Sequence, residues 1–337
     1  MENLFDYTKK DLENYFISIG EKSFKATQVF EWIYRKKVYN IDNFLNMNLG
    51  IRNTLKEKFS MEFIKIIKVE EDKDVSKFLF ELFDGQKIEA VLMRHSYGLS
   101  VCVSSQVGCN MGCKFCDSGK NKKVRDLKVS EMVQQILLIE KHIESKINSI
   151  VIMGIGEPFD NYDNVLKFLL IANEPKGMEI GARHMTVSTC GLVDKIIDFA
   201  DFPLQVNLAL SLHAPNDQIR NQIMPINKAF NLKMVINALK TYSNKTNRRV
   251  TIEYVLLKGV NDSGSCAKQL CDLLKGLNVY VNLINYNETD SEYKSVDESV
   301  AKEFAKILKL NGVDVTIRKK FGNKITAACG QLRNKEV

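Results

Sequence analysis

No stretch of the 337-residue sequence approaches the ~20 consecutive apolar residues that cross a bilayer, and the opening MENLFDYTKKDLENY has no secretory apolar core. These absences disfavour membrane-embedded and secreted classes, and a cytoplasmic location is expected. Low-complexity tracts are missing too. Histidine is scarce, with four in the chain, and no second cysteine pair stands near the cysteine cluster, so little is at hand to complete a tetrahedral zinc site. Neither sign of charge dominates: 48 Lys plus Arg against 41 Asp plus Glu leave +7, compatible with a polyanionic partner without requiring one. Eight cysteines in a chain expected in a reducing compartment argue for metal or thiol chemistry over disulfides. The 45% hydrophobic composition supports a sizeable core.

The first sixty or so residues read as helices. Leu12, Tyr15, Phe16 and Ile19 follow i, i+3, i+4, i+7 spacing between a capping Thr8 and Gly20, and Ala26, Val29, Phe30, Ile33 and Tyr34 repeat it. A third helix is expected near Ile51 to Phe59. From Phe63 to Met93 the pattern turns extended, with VSKFLFELF and QKIEAVLM flanking Asp84-Gly85, a dipeptide suited to a tight hairpin with positive φ at both central positions. Glu89 therefore lies inside an apolar strand. From Ser100 onward, LSVCVSS, NSIVIMG, HMTVSTC, QVNLALSL, RVTIEYVLL and YVNLINY alternate with helix-period segments, which implies a parallel βα sheet curled as a partial or full barrel. The expected division is a helical accessory region over 1–62, a hairpin extension over 63–96 and a catalytic core over 97–337.

In such a barrel, chemistry sits at the carboxyl ends of the strands. Cys109, Cys113 and Cys116 follow the first strand, Gly156 and Glu157 the second, Ser188 the third, Ser211 and His213 the fourth, and Asn287 the sixth. Taken singly, a serine there is more often a helix cap and a histidine a structural imidazole. The cysteines carry more weight. GCNMGCKFC offers three thiolates where a closed metal site takes four, which points to a metal centre with one position left for a cofactor or substrate.

C-x3-C-x2-C after the first strand of a βα barrel resembles the radical S-adenosylmethionine enzymes. VCVSSQVGCNMGCKFC, VIMGIGEPFDNYDNV, LALSLHAPNDQIR, IMPINKAFNL, VTIEYVLLKGVND and AACGQL, with the N-terminal GEKSFKATQVFEWIYRK, together resemble the RlmN family of 23S ribosomal RNA adenine-C2 methyltransferases. The sister family, Cfr, methylates C8 of the same adenine. GEP and SSQVGC here tilt the resemblance to RlmN. It implies an α/β radical S-adenosylmethionine partial (βα)6 barrel with a small N-terminal helical domain and a β-hairpin extension. It also implies one 4Fe-4S cluster on Cys109, Cys113 and Cys116, and two S-adenosylmethionine molecules per turnover. Phe115, Gly156, Glu157, Ser188, Ser211, Leu212, His213 and Asn287 would bind the cofactor. The implied partners are 23S rRNA, tRNA as a further candidate substrate, and an electron donor such as flavodoxin or ferredoxin, with no membrane.

Adenine C2 has no acidic heteroatom, so polar attack on a methylsulfonium is closed to it and a carbon radical is required. By resemblance Cys329 accepts a methyl from one cofactor, a radical from a second removes hydrogen from that methyl, and the methylene adds to C2. Glu89 is the candidate base for the C2 proton, its apolar wall raising its proton affinity, and Cys102 the candidate thiol that resolves the adduct as a disulfide with Cys329. Lys120, Lys122, Lys123, Arg125 and Lys128 beside the cysteine loop, and Arg318, Lys319, Lys320 and Lys324 near Cys329, are candidate phosphate contacts. A Cfr-like C8 methyltransferase and a non-catalytic iron–sulfur or zinc RNA-binding module are the rival readings.

Overall fold

The structure, a computed structural model, describes residues 1–289, 291–318 and 331. At the N-terminus, two short strands, β1 (Glu2–Asn3) and β2 (Phe59–Ser60), pair in parallel around three helices. Helix α1 (Lys9–Ser18) opens on a capping box: Asp11 N donates to Thr8 Oγ1 at 3.1 Å and Thr8 N to the Asp11 carboxylate at 3.0 Å. Leu12 and Phe16 are buried, whereas Ile19, past the last turn, is exposed. Helix α2 (Lys25–Phe30) runs on as a π-helical turn over Glu31–Arg35 and buries Ala26, Val29, Phe30, Ile33 and Tyr34. Helix α3 (Leu49–Lys58) starts from Asn48, whose Oδ1 accepts from Ile51 N at 2.9 Å. These helices do not stand apart: their apolar faces join one core that includes Met132, Val133 and Ile136 of the barrel's first helix, and Ser130 N donates to Asp6 Oδ1 at 2.7 Å.

Strands β3 (Lys65–Glu71), β4 (Val75–Glu81), β5 (Lys87–His95) and β6 (Gly98–Val103) are antiparallel neighbours. β7 (Gln106–Val107) and β8 (Arg125–Asp126) form a separate pair at the base of the cysteine loop. From β6 the sheet continues in parallel through β9 (Ser149–Ile152), β10 (Met185–Thr189), β11 (Asn207–Ser211), β12 (Val250–Leu256), β13 (Val279–Asn285) and β14 (Val315–Ile317). Parallel neighbours need crossovers, here α4 (Val129–Ile143), α5 (Tyr162–Asn173), α6 (Val193–Phe199), α7 (Asp217–Ile223) with α8 (Leu232–Thr246), α9 (Gly264–Leu274) and α10 (Glu298–Leu310). Among the described residues the sheet thus has ten strands in the order β14-β13-β12-β11-β10-β9-β6-β5-β4-β3. The helices cover one face, and the other faces the barrel interior.

The six expected parallel strands are present. A seventh, β14, has three residues, too few to show a period. The edge strand β3, KIIKVEE, is half charge and largely uncovered, which hides its apolar alternation. The hairpin turn differs from expectation: Gly85 takes φ +79° but Asp84 does not go positive. Gly85 N donates to Leu82 O at 3.0 Å and Leu82 N to Gln86 O at 2.8 Å, so the loop is Phe83-Asp84-Gly85, a tight turn closed by a left-handed glycine. No helix among the described residues is long and apolar enough to cross a membrane.

Candidate active site

The β7–β8 pair clamps the two ends of the cysteine loop. Gly108 takes φ +76°, and a Cβ there would lie 2.2 Å from the Lys122 carbonyl oxygen, so glycine is required for the strands to close. Cys109 N donates to Asn121 O at 3.0 Å and Cys116 N to Cys113 O at 3.1 Å, while Lys114 N donates to Ile223 O at 3.0 Å and moors the loop on the end of α7. Cys109, Cys113 and Cys116 consequently line one cavity of about 160 Å³. Burial pushes all three thiols up, Cys109 to about 12, and for Cys109 and Cys113 neighbouring cysteine charge adds to the effect. A bound metal would reverse this by taking the thiolates. Among the described residues no three Cys, His, Asp or Glu side chains converge as a single ion needs. Three sulfurs around a cavity fit a polynuclear cluster, in which each iron takes one thiolate, better than tetrahedral zinc.

The facing wall is built from strand ends. Gly156 takes φ +109°, and a Cβ on it would lie 2.6 Å from Gln106 Cβ, so the backbone passes tight against β7 only because the side chain is missing. Gln106 Oε1 then accepts from Glu157 N at 2.8 Å. The Glu157 carboxylate, buried, accepts from Cys190 N at 2.8 Å and Phe159 N at 3.0 Å. Burial raises its proton affinity and these N–H donors oppose that, so a cationic amine entering the cavity would favour the charged form. Ser188 and Ser211, on neighbouring strands, stand with their Oγ atoms 3.2 Å apart. His213 adopts φ +55° and accepts from Val255 N through Nδ1 at 3.0 Å. Burial and then the charge of Arg220 drive its pKa down to about 3, so the ring is neutral. Phe115 meets it edge to face with centroids 5.0 Å apart, and Asn287 closes the rim.

Leu212 stands apart from the other expected residues. Its side chain lies in the core, away from the cavity, and its N–H is already spent on Glu253 O at 3.1 Å. Glu89 and Cys102 lie deeper on the interior face, off the cavity lining. Cys102 pairs in register with Val91, two residues beyond Glu89 on β5, so the two side chains are diagonal neighbours. Cys102 packs with Val75, Val91, Met93 and Ile155. The wall around Glu89 is not the apolar one expected, because Lys77 Nζ of β4 lies 3.3 Å from its carboxylate and 3.1 Å from that of Glu70. Cys329, with Lys319, Lys320 and Lys324, falls outside the described residues.

Arg318, expected as a phosphate contact, lines the cavity. One lining residue escaped the sequence reading: Glu253 of β12 is buried, receives a bond from Asn282 Nδ2 at 3.3 Å and, among the described residues, keeps Oε2 without a hydrogen-bond partner. The signal was there: an acidic residue inside the apolar strand RVTIEYVLL, the argument applied to Glu89. The expected phosphate-contacting cations are partly engaged. Lys123 pairs with Asp126 and Asp160 at 2.8 and 2.9 Å, Arg125 forks onto Glu131 at 2.8 Å and reaches Asp84 at 2.6 Å, and Lys120 lies 2.6 Å from Asp117.

Comparison with known proteins gives this arrangement a context. Residues 103–265 match the radical SAM superfamily, whose members use a 4Fe-4S cluster and S-adenosylmethionine, and residues 2–61 match the ribosomal RNA large subunit methyltransferase N-terminal domain. A probable dual-specificity RNA methyltransferase RlmN of Spiroplasma citri is 49% identical over 99% of this chain and 98% of its own length. The similarly named protein of Enterococcus faecalis is 49% identical over 100% and 97%. The crystal structure of a radical SAM methyltransferase from Sphaerobacter thermophilus superposes with a TM-score of 0.93 at 38% identity, covering 99% of this chain and 100% of that one. The chain belongs to the RlmN family of radical SAM RNA methyltransferases.

Proposed function

We propose that the protein methylates C2 of an adenine in 23S ribosomal RNA, with a tRNA adenine as a second substrate, in the cytoplasm and with an electron-donor protein such as flavodoxin or ferredoxin. The observation that carries this reading is the meeting of the cysteine loop with Gly156, Glu157, Ser188, Ser211, His213 and Asn287 on one cavity, in a chain related end to end to proteins named RlmN.

Cys109, Cys113 and Cys116 would hold three irons of the cluster and leave the fourth for the amine and carboxylate of the cofactor. Glu157 would accept from the cofactor's amine, Ser188 and Ser211 would meet its polar groups, and Phe115 would lie against its adenine. When bound, the cluster and two S-adenosylmethionine molecules per turnover supply a methyl group and the one-electron chemistry that an unactivated ring carbon requires. Cys329 is the proposed carrier of the methyl. Once carbon is joined to C2, Glu89 takes the ring proton, and Cys102 attacks the Cys329 sulfur, forming a sulfur–sulfur bond as the product carbon leaves. The Lys77 ammonium beside Glu89 supports a carboxylate able to accept a proton.

Mass spectrometry of RNA digested after anaerobic incubation with reduced protein and S-adenosylmethionine tests the assignment. It should show 2-methyladenosine. An 8-methyl product would move the protein to the sister activity, and no methylated adenosine would overturn the proposal. Cys329→Ala should abolish methyl transfer to both protein and RNA; RNA still modified by that variant would refute the carrier role.

A further inference from the structure

We propose that Arg220 is the counter-charge of the cysteine-held cluster and sets how readily that cluster accepts an electron, an inference resting on the reading that Cys109, Cys113 and Cys116 hold one. Arg220, on α7, is fully buried. Its guanidinium makes five hydrogen bonds, to the carbonyls of Cys190 (2.6 Å), Leu212 (3.2 Å), Phe230 (3.3 Å) and Ser211 (3.5 Å) and to Asn227 Oδ1 (2.9 Å). Every acceptor is neutral. Among the described residues its hydrogen-bond partners include no carboxylate. The acid that feels its charge, Asp217, is exposed and reached only through Asn227, whose Nδ2 donates to Asp217 Oδ1 at 2.8 Å. A guanidinium out of water without an anion is costly, and neutral carbonyls cover only part of that cost.

The missing anion is found on the other side of those carbonyls. Cys190 and Ser211 line the cavity, so Arg220 sits behind the strand ends that form its wall. The cysteine loop rests on the same helix one turn on, through Lys114 N to Ile223 O. Three thiolates on a cluster give the cavity net negative charge, and one-electron reduction adds another. A fixed cation nearby stabilises the reduced form more than the oxidised one, which is one of the protein's means of tuning such a centre.

The test is an electron paramagnetic resonance titration of the reconstituted full chain against dithionite. Arg220→Met should lower the midpoint potential, leaving roughly tenfold less reduced cluster at a fixed potential, about 59 mV for one electron. Arg220→Lys, which keeps the charge but loses the fork, should recover most of that. Asp217→Asn should shift the midpoint the opposite way by less. The proposal is overturned if R220M matches the wild type, or if R220K falls as far as R220M, since geometry and not charge would then matter. Should R220M fail to fold, D217N decides: a positive shift supports the proposal, and none or a negative one overturns it. Wild-type protein that assembles no cluster would instead defeat the reading beneath.

Discussion

His213 concentrates several constraints in one residue. Its backbone is left-handed, its Nδ1 is an acceptor for Val255 N–H, and its pKa is held near 3 against an ordinary 6.5. The unfolded chain therefore binds a proton between pH 6.5 and 3 that the folded chain refuses. Stability contributed by the neutral ring is present above pH 6.5 and lost on acidification, by about 1.4 kcal/mol per pH unit at most. His213→Asn keeps an acceptor oxygen and tolerates positive φ. Urea unfolding of wild type and H213N should diverge in pH slope across that window and run parallel above it. Gly156 fails for a different reason: Gly156→Ala would drive a Cβ into Gln106 and dislodge Glu157, whose N–H is bound to that side chain. Calorimetry should show cofactor affinity down by at least about tenfold, roughly 1.4 kcal/mol, with far-ultraviolet dichroism unchanged.

Among elements, the contact between the hairpin tip and α4 is the one to break. Arg125 joins Asp84 of the turn to Glu131 in the first turn of α4, and Glu131 also accepts from Lys128 N at 2.8 Å. The Glu131 side chain is 1% exposed, so Arg125→Met would strand a buried carboxylate at a cost of about 3 kcal/mol. Asp84→Asn, at an exposed site, should cost at most about 1 kcal/mol. Denaturant midpoints of the two variants decide between this and a role in binding phosphate, in which R125M would weaken RNA binding and leave stability intact. The same contact shows where the sequence stops being legible. Arg125 in KKVRDLK reads as one of a basic run, because its acids stand 41 positions upstream and 6 downstream and only the fold makes them neighbours. Helices α1 to α3 and the six longer parallel strands were legible because period and caps are local. β14 was too short and β3 too charged to announce themselves. At the site, the cysteines stood out by spacing and the strand-end residues by their place after apolar runs, and Glu253 was readable as an acid inside an apolar strand, whereas Arg220 gains meaning only from what the fold packs around it. The side chain of Leu212 lies in the core while its neighbours Ser211 and His213 line the cavity, a difference that a motif does not show.

At the scale of the whole molecule, the antiparallel extension and the parallel barrel are one sheet. Glu89 of β5 and Cys102 of β6 are therefore fixed relative to the strands that carry Ser188 and Ser211 by unbroken hydrogen-bonded pairing through β9 and β10. Proposed acid–base and thiol groups on such a frame need little reorganisation to work in sequence.

The N-terminal helices bear on how the protein is handled. Leu4, Phe5, Leu12, Phe16, Phe30 and Phe59 share their apolar surroundings with α4, and Gln134 reaches across to Glu62 O at 2.7 Å and Ile64 N at 2.9 Å. A shortened chain beginning at residue 63 would bare that flank of the barrel to water, a greasy patch of the sort that drives self-association. Such a fragment should elute as aggregates in size-exclusion chromatography and bind a hydrophobic dye. The N-terminal segment thus serves as a cover for α4 on the outside of the barrel and cannot be cut away without unwrapping it.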